Sequence, residues 1–232
     1  LSAPFTVSVD NKDNAWIFLG TGRYITTADK TDENQNYLFG LKDPFYNSRG
    51  KAEGDAQFPS CVHNYNPSGC TIGIADLFDA TSYAVKADGT IDTANTSDVL
   101  RGKTFDNFVK EGVQKKDNQG VEVYQGWYRR LAVTTGSPSE RVVNKPAAFG
   151  GIALFPAFTP DSNLCLSGGN SRLYALYYIT GTAYKKPVLK KQDNSAEIKF
   201  TQDMGAGLAS SPAIHVGKKE GQTGTVISQL ST

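Results

Sequence analysis

Histidine, cysteine and tryptophan are scarce in this 232-residue chain: two His, three Cys and two Trp. With His63 and His215 as the only imidazoles, and neither inside a nucleophile or metal motif, acid–base catalysis has few carriers. Cys-x-x-Cys-His is missing, which excludes covalent attachment of a c-type haem. Charge of one sign is missing too. Twenty-four Lys and Arg face 23 Asp and Glu, so nothing electrostatic draws the chain to nucleic acid or an anionic membrane. No apolar run approaches the ~20 residues needed to cross a bilayer, so no membrane span is expected. Leu1-Ser2-Ala3-Pro4 carries neither an initiator methionine nor the basic and apolar regions of a signal peptide, as expected of a processed or excised piece. Glycine (23) and proline (10) stay well below the ~25–30% of low-complexity chains, so they read as turns.

What is present is a 39% hydrophobic, 20% charged composition that can bury a core. Short β-branched and aromatic runs bounded by Gly, Asp, Asn or Pro predict strands at Ala15–Leu19, Tyr37–Leu41, Val121–Tyr124, Ile152–Phe155, Leu173–Ile179, Glu197–Phe200 and Val226–Gln229. Helical spacing is confined to Phe105, Phe108, Val109 and Val113, predicting one short helix over Phe105–Gln114. Ser82–Val85 and Thr90–Asp92, flanking Lys86–Gly89, read as a hairpin.

A loose repeat runs through the chain, each copy opening on a proline, passing an apolar strand near glycine and reaching an aromatic-rich strand. The first runs from Pro4 through Ile17–Gly20 to Tyr37–Leu41, the second from Pro146 through Gly151–Phe155 to Arg172–Leu176. The third starts at Ser211-Pro212-Ala213-Ile214 and reaches Thr225-Val226-Ile227. Small sheets that cannot bury both faces alone must stack, which predicts a mainly β, β-propeller-like fold forming the last blades of a larger ring. Residues 44–71 read as a loop insertion within a single 1–232 unit.

Cys61 and Cys70, nine apart in a turn-rich loop, are expected to form a disulfide. A metal site from Cys61, His63 and Cys70, or two reduced thiols, are the alternatives, and Cys165 is left odd. Gly20-Thr21-Gly22 lacks the following helix of a phosphate loop and reads as an inter-strand turn, with Arg23 available to pair with a carboxylate inside the blade. Two acidic loops, Asp29/Asp32/Glu33/Asn34 and Asp88/Asp92/Asp98, do not match calcium-loop spacing and read as solvated turns. Ser210 and Ser211 lack the Gly-x-Ser-x-Gly frame of a nucleophile elbow. His215 alternates with Ile214 and Val216 and reads as a surface or structural histidine. Trp16, Trp127, Tyr128, Tyr174, Tyr177 and Tyr178 are expected to fill the packing between blades.

Gly20-Thr21-Gly22-Arg23-Tyr24, with Asn36–Asp43, resembles the C-terminal propeller of the PilY family of type IV pilus assembly and tip proteins. Asp79–Val85, Gly126–Leu131, Glu140–Pro146, Phe155–Pro160 and Leu173–Gly181 follow in the family's order, spanning nearly the whole chain. The resemblance implies an exported, pilus-associated or extracellular protein, a non-enzymatic structural component that supports pilus assembly, opposes retraction and mediates tip or surface adhesion. Its implied partners are minor pilins or the tip complex, a missing upstream propeller segment or another chain, and a host or abiotic surface. The family's Asp-x-Asp-x-Asn-x-Asp calcium loop is not reproduced, so no cofactor is assigned to this segment and calcium is left to other parts of a full-length protein. A quinoprotein-dehydrogenase-like propeller, with pyrroloquinoline quinone and calcium, shares the Leu173–Leu176 repeat style and is the enzymatic alternative.

Overall fold

The computed structural model describes residues 4–47, 72–118, 123–163, 168–189, 196–215 and 225–231. The expected Cys61–Cys70 disulfide, His63 and Cys165 lie outside them. In chain order the strands are β1 (Thr6–Val9), β2 (Asn14–Gly20), β3 (Tyr37–Asn47), β4 (Phe78–Asp79), β5 (Tyr83–Val85), β6 (Ile91–Thr93), β7 (Gly126–Arg130) and β8 (Arg141–Val142). They continue as β9 (Ala147–Phe149), β10 (Ile152–Pro160), β11 (Gly169–Tyr177), β12 (Thr201–Ala206), β13 (Leu208–Ala209), β14 (Ala213–His215), β15 (Thr225–Ile227) and β16 (Leu230–Ser231). Among the described residues one α-helix, α1 (Phe105–Glu111), interrupts them. Too short to cross a membrane, it buries Phe105 and Phe108.

The architecture is mainly β. A first sheet has the order β1-β2-β3-β7-β4, and a second has β12-β11-β10-β8 with β9 also on β10. The pairs β5–β6, β13–β16 and β14–β15 are small two-stranded sheets. Alternation in the sequence decides the faces. In β2, Trp16 and Phe18 point into the core, and their neighbours Ile17 and Leu19 point the other way, half-buried. The second sheet answers with Ala153, Phe155, Tyr174 and Leu176, all within the same buried cluster. Phe18 meets Phe155 edge-on at 6.5 Å, and Trp127 meets Phe155 edge-on at 6.2 Å. The far face of the second sheet carries a smaller cluster of Leu154, Leu173 and Ala175, covered by Leu189, Met204 and Ile214.

The repeat read from the prolines is visible in the pairing. β10 pairs with β8 at one end and β9 at the other, and the chain crosses from β8 to β9 at buried Pro146. The third copy reproduces this: β13 pairs with β16 and β14 with β15, with buried Pro212 between β13 and β14. Asn144 donates to the Ala209 carbonyl at 2.6 Å, tying the two crossings together.

Several elements differ from the sequence reading. The strand expected at Val121–Tyr124 starts instead at Gly126, residues 121–122 lying outside the described set. Tyr124 turns its ring onto Phe78 at 5.6 Å, and the Gln125 amide donates to Asp76 O, which takes the backbone out of the ladder. Glu197–Phe200 is not a regular strand, because the Ile198 amide is claimed by Val85 O and the Ile198 side chain by the core. The ladder with β11 resumes at Thr201. Residues 44–47, expected to open the insertion, continue β3. The helix stops at Glu111, where Gly112 caps it, three residues short of Gln114. The Lys86–Gly89 hairpin is present, with Gly89 at φ 83°.

Candidate functional site

Three side-chain assemblies stand out, two of them built on buried arginines. Alternation in β7 puts Trp127 and Arg129 on the core face and Tyr128 and Arg130 on the other. Arg129 donates from Nη1 to the carbonyls of Ala80 (2.7 Å) and Gly181 (3.2 Å), and its guanidinium lies 4.2 Å from the centre of the Phe200 ring. Burial lowers its pKa to about 10, so it stays charged at neutral pH. Carbonyl dipoles and an aromatic face thus satisfy a cation that ties three segments together.

Arg141 is fully buried on β8. It donates to the carbonyls of Ser139, Arg23, Asp29 and Asp32. This one planar fork holds the 23–32 loop against the second sheet, a task for which its five donors suit it. Within that loop Asp29 accepts from the Thr26 and Ile25 amides at 2.7 and 2.8 Å and from Arg23 Nε at 2.8 Å. Arg23 therefore does pair with a carboxylate, but with one in its own loop and with its side chain exposed, not inside the blade as expected. The two amides, first Thr26 and then Ile25, hold the Asp29 pKa well below the ordinary carboxylate range. A depressed folded-state pKa means that the loop's stabilisation is complete above the unfolded value near 4 and is lost as pH falls below it. We expect amide exchange at Ile25 and Thr26 to accelerate selectively between about pH 4 and pH 2, and Asp29→Asn to show fast exchange already at pH 7. Equal exchange in both proteins at neutral pH would show that the carboxylate does not order the loop.

The other acidic residues of the two loops read as solvated turns are likewise engaged with their own surroundings. Asp32 accepts from Asn34, and Glu33 from the Gly136 amide. Asp88 accepts from Thr90, Asp92 pairs with Lys86 and Arg101, and Asp98 accepts from the Tyr83 hydroxyl at 2.6 Å. Among the described residues no group of three or more His, Cys, Asp or Glu side chains is placed to share a metal ion. His215 is exposed on β14, opposite Thr225.

The third assembly is a groove of about 490 Å³ lined by Gly150, Gly151, Ile152, the tyrosines 177, 178 and 184, and Lys186–Val188. It lies where the β9–β10 turn meets the segment leaving β11. Tyr177 is the hub, with ring centres at 5.3 Å from Phe105, 5.2 Å from Tyr178 and 5.1 Å from Tyr184. Burial, reinforced by Tyr178 and Tyr184, pushes its phenol up to about 12, leaving a neutral, hydrogen-bonding aromatic wall at neutral pH. Tyr177 thus lines a groove besides packing, and Tyr128 faces away from the seam, where both were expected to fill the space between blades. The buried arginines escaped the sequence reading. The signal available for Arg129 was its i+2 spacing from Trp127 in a strand. Lys186, Pro187 and Val188 are exposed beside the tyrosines, so the groove presents an aromatic wall next to an exposed cationic and apolar edge.

No family model matches the chain, and no curated protein matches it. Among solved structures it is similar to one titled "Crystal structure of Pseudomonas aeruginosa PilY1 C-terminal domain", with a TM-score of 0.55 and 15% sequence identity. The match covers 97% of this chain and 44% of that one, so the chain spans less than half the length of the solved domain.

Proposed function

We propose that the chain is a non-enzymatic structural and interaction component of type IV pili, PilY-like, that supports pilus assembly, opposes retraction and contributes to contact at the tip or with a surface. The observation that carries this reading is the fold likeness to the PilY1 C-terminal domain over 97% of the chain. The ordered sequence motifs from Gly20–Tyr24 to Leu173–Gly181 add to it, because an enzymatic propeller repeat does not account for the first of them. On this reading the protein is exported to the periplasm and outer surface, its partners are minor pilins or the tip complex, and the tyrosine groove is a surface for them.

Deletion in the native host, scored by sheared surface pili and twitching motility, tests the reading. Piliation is expected to fall, and to return when retraction is blocked if the protein acts against retraction. Complementation with Lys186→Glu/Val188→Asp, both exposed and outside the core, is expected to restore protein level but not full piliation. Unchanged piliation and motility in the deletion strain would overturn the proposal.

A further inference from the structure

The residues lining the tyrosine groove leave a set of polar groups without partners, and the set is of one kind. Lys186 is exposed and makes no ion pair among the described residues, unlike Lys185, which pairs with Asp106 at 2.9 Å. Among the same residues the hydroxyls of Tyr177 and Tyr184 and the amides of Gly150, Gly151, Lys186 and Val188 have no hydrogen-bond partner. All of these groups can donate, and no aspartate or glutamate lines the groove. The carboxylates whose charge reaches Tyr177 are already used: Asp10 accepts from Trp16 and Asn14, and Asp106 from Lys185.

Around these donors the surface is aromatic and apolar. The rings of Tyr177 and Tyr184 lie 5.1 Å apart with their planes 33° from parallel, and Ile152 lines the same groove. Val188, 43% exposed, carries the apolar surface outward past Pro187. The turn at Gly150 and Gly151 has φ 57° and 82° and no side chains, and a Cβ at Gly151 would stand 3.3 Å from the Tyr178 ring. Backbone is therefore open to a ligand on that side. A donor-rich, cation-edged aromatic groove complements a ligand that joins a carboxylate to an apolar body. The unpaired amides at Lys186 and Val188 belong to no strand ladder, and an extended peptide can meet such amides with its own carbonyls. A sugar has no repeating carbonyls to offer them.

We infer that the groove binds a short, extended, acidic peptide segment of a partner protein, seating a bulky apolar side chain against Tyr177 and Tyr184 and a carboxylate on Lys186. Its volume of about 490 Å³ lies within the roughly 300–1,000 Å³ of sites that enclose a small ligand. The inference rests on the reading of the groove as a partner surface and adds the chemistry of what the partner presents there.

An array of short peptides with Glu, Gln or Lys fixed at the centre and Leu, Phe, Pro or Gly varied around it, probed with the purified native protein, tests the proposal. Alginate oligomers, a carboxylate-bearing sugar, are run in parallel. Glu-centred peptides with a bulky apolar neighbour are expected to be retained over their Gln counterparts. The strongest of them, labelled and titrated by fluorescence anisotropy, should bind about tenfold more weakly to Lys186→Glu and almost unchanged to Lys186→Arg. Tyr177→Phe/Tyr184→Phe keeps both rings and should weaken binding by a smaller factor, with the melting temperature checked in each variant. Equal retention of Glu and Gln peptides, retention of none, binding indifferent to Lys186→Glu, or binding of alginate alone would each overturn the proposal. Failure here leaves the piliation phenotype to decide the pilus reading, and normal piliation in the deletion strain would leave groove-dependent peptide binding standing.

Discussion

Replacing Trp127 by alanine is expected to destabilise the fold by about 3–5 kcal/mol, the range for truncating a large buried aromatic. The ring is fully buried and lies between the sheets, touching Phe18 and Phe155. Its backbone surroundings are shaped to it: a Cβ at either Gly40 or Gly181 would collide with the indole. Alanine therefore leaves a cavity walled by backbone that has little freedom to collapse, which places the cost toward the upper end of that range. The indole N–H donates to Tyr178 O at 2.8 Å, so its removal also takes away the partner of a buried carbonyl. At roughly 2–4 °C per kcal/mol for a chain of this size, the melting midpoint should drop by about 10 °C. Gly181→Ala should move it in the same direction for the complementary reason, since Gly181 also holds φ 68°. Thermal unfolding followed by tryptophan fluorescence and circular dichroism measures both, and a shift of about 2 °C or less for Trp127→Ala would contradict the packing described.

Arg141→Lys is the second large effect, expected at about 3 kcal/mol although the charge is conserved. Lysine has one nitrogen where arginine has three, and the four carbonyls of Ser139, Arg23, Asp29 and Asp32 are arranged around a planar fork. A lysine can satisfy some of them while the rest lose a charged donor in a buried place. The damage should be local first: proteolysis between residues 23 and 36 and exchange at the Ile25 and Thr26 amides should rise before the second sheet loosens. Arg141→Met separates the contributions, because it keeps much of the volume and removes every donor. If Arg141→Lys and wild type unfold at the same temperature with the same proteolytic pattern, the fork geometry is irrelevant to the loop.

Strand periodicity and turn residues made the β architecture legible, and Pro146 and Pro212 marked the second and third copies, where the chain crosses between two short strands that share one edge. Helix α1 was legible from four apolar positions. The departures at Val123–Tyr124 and Glu197–Phe200 share a cause: both belong to short β-branched and aromatic runs whose backbone amides or side chains are claimed by another segment, Lys115 for the Val123 amide and Phe78 for the Tyr124 ring in one case, and Val85 for the Ile198 amide in the other. Nothing local in the sequence encodes such competition. The buried arginines were hidden for a related reason, since a guanidinium satisfied by carbonyls has no acidic partner at a recognisable spacing. Tyr177 and Tyr178 of the groove were read as packing, and Tyr177 does pack, but which of its edges meets solvent depends on where the β9–β10 turn lies.

The order of the first sheet bears on how the chain reaches its fold. β3 pairs with β7, so Leu41 and Gly126 lie side by side with more than eighty residues of chain between them. The second sheet, by contrast, joins β9, β10 and β11 through near neighbours in sequence. Closing a long loop costs configurational entropy before any contact rewards it, and pairings of high sequence separation form late. During synthesis β1, β2 and β3 emerge as a three-stranded piece whose Trp16 and Phe18 have nothing to pack on until β7 and the second sheet arrive. The later-made half is thus expected to become ordered first and to act as the template on which the earlier-made half settles, reversing the order of synthesis.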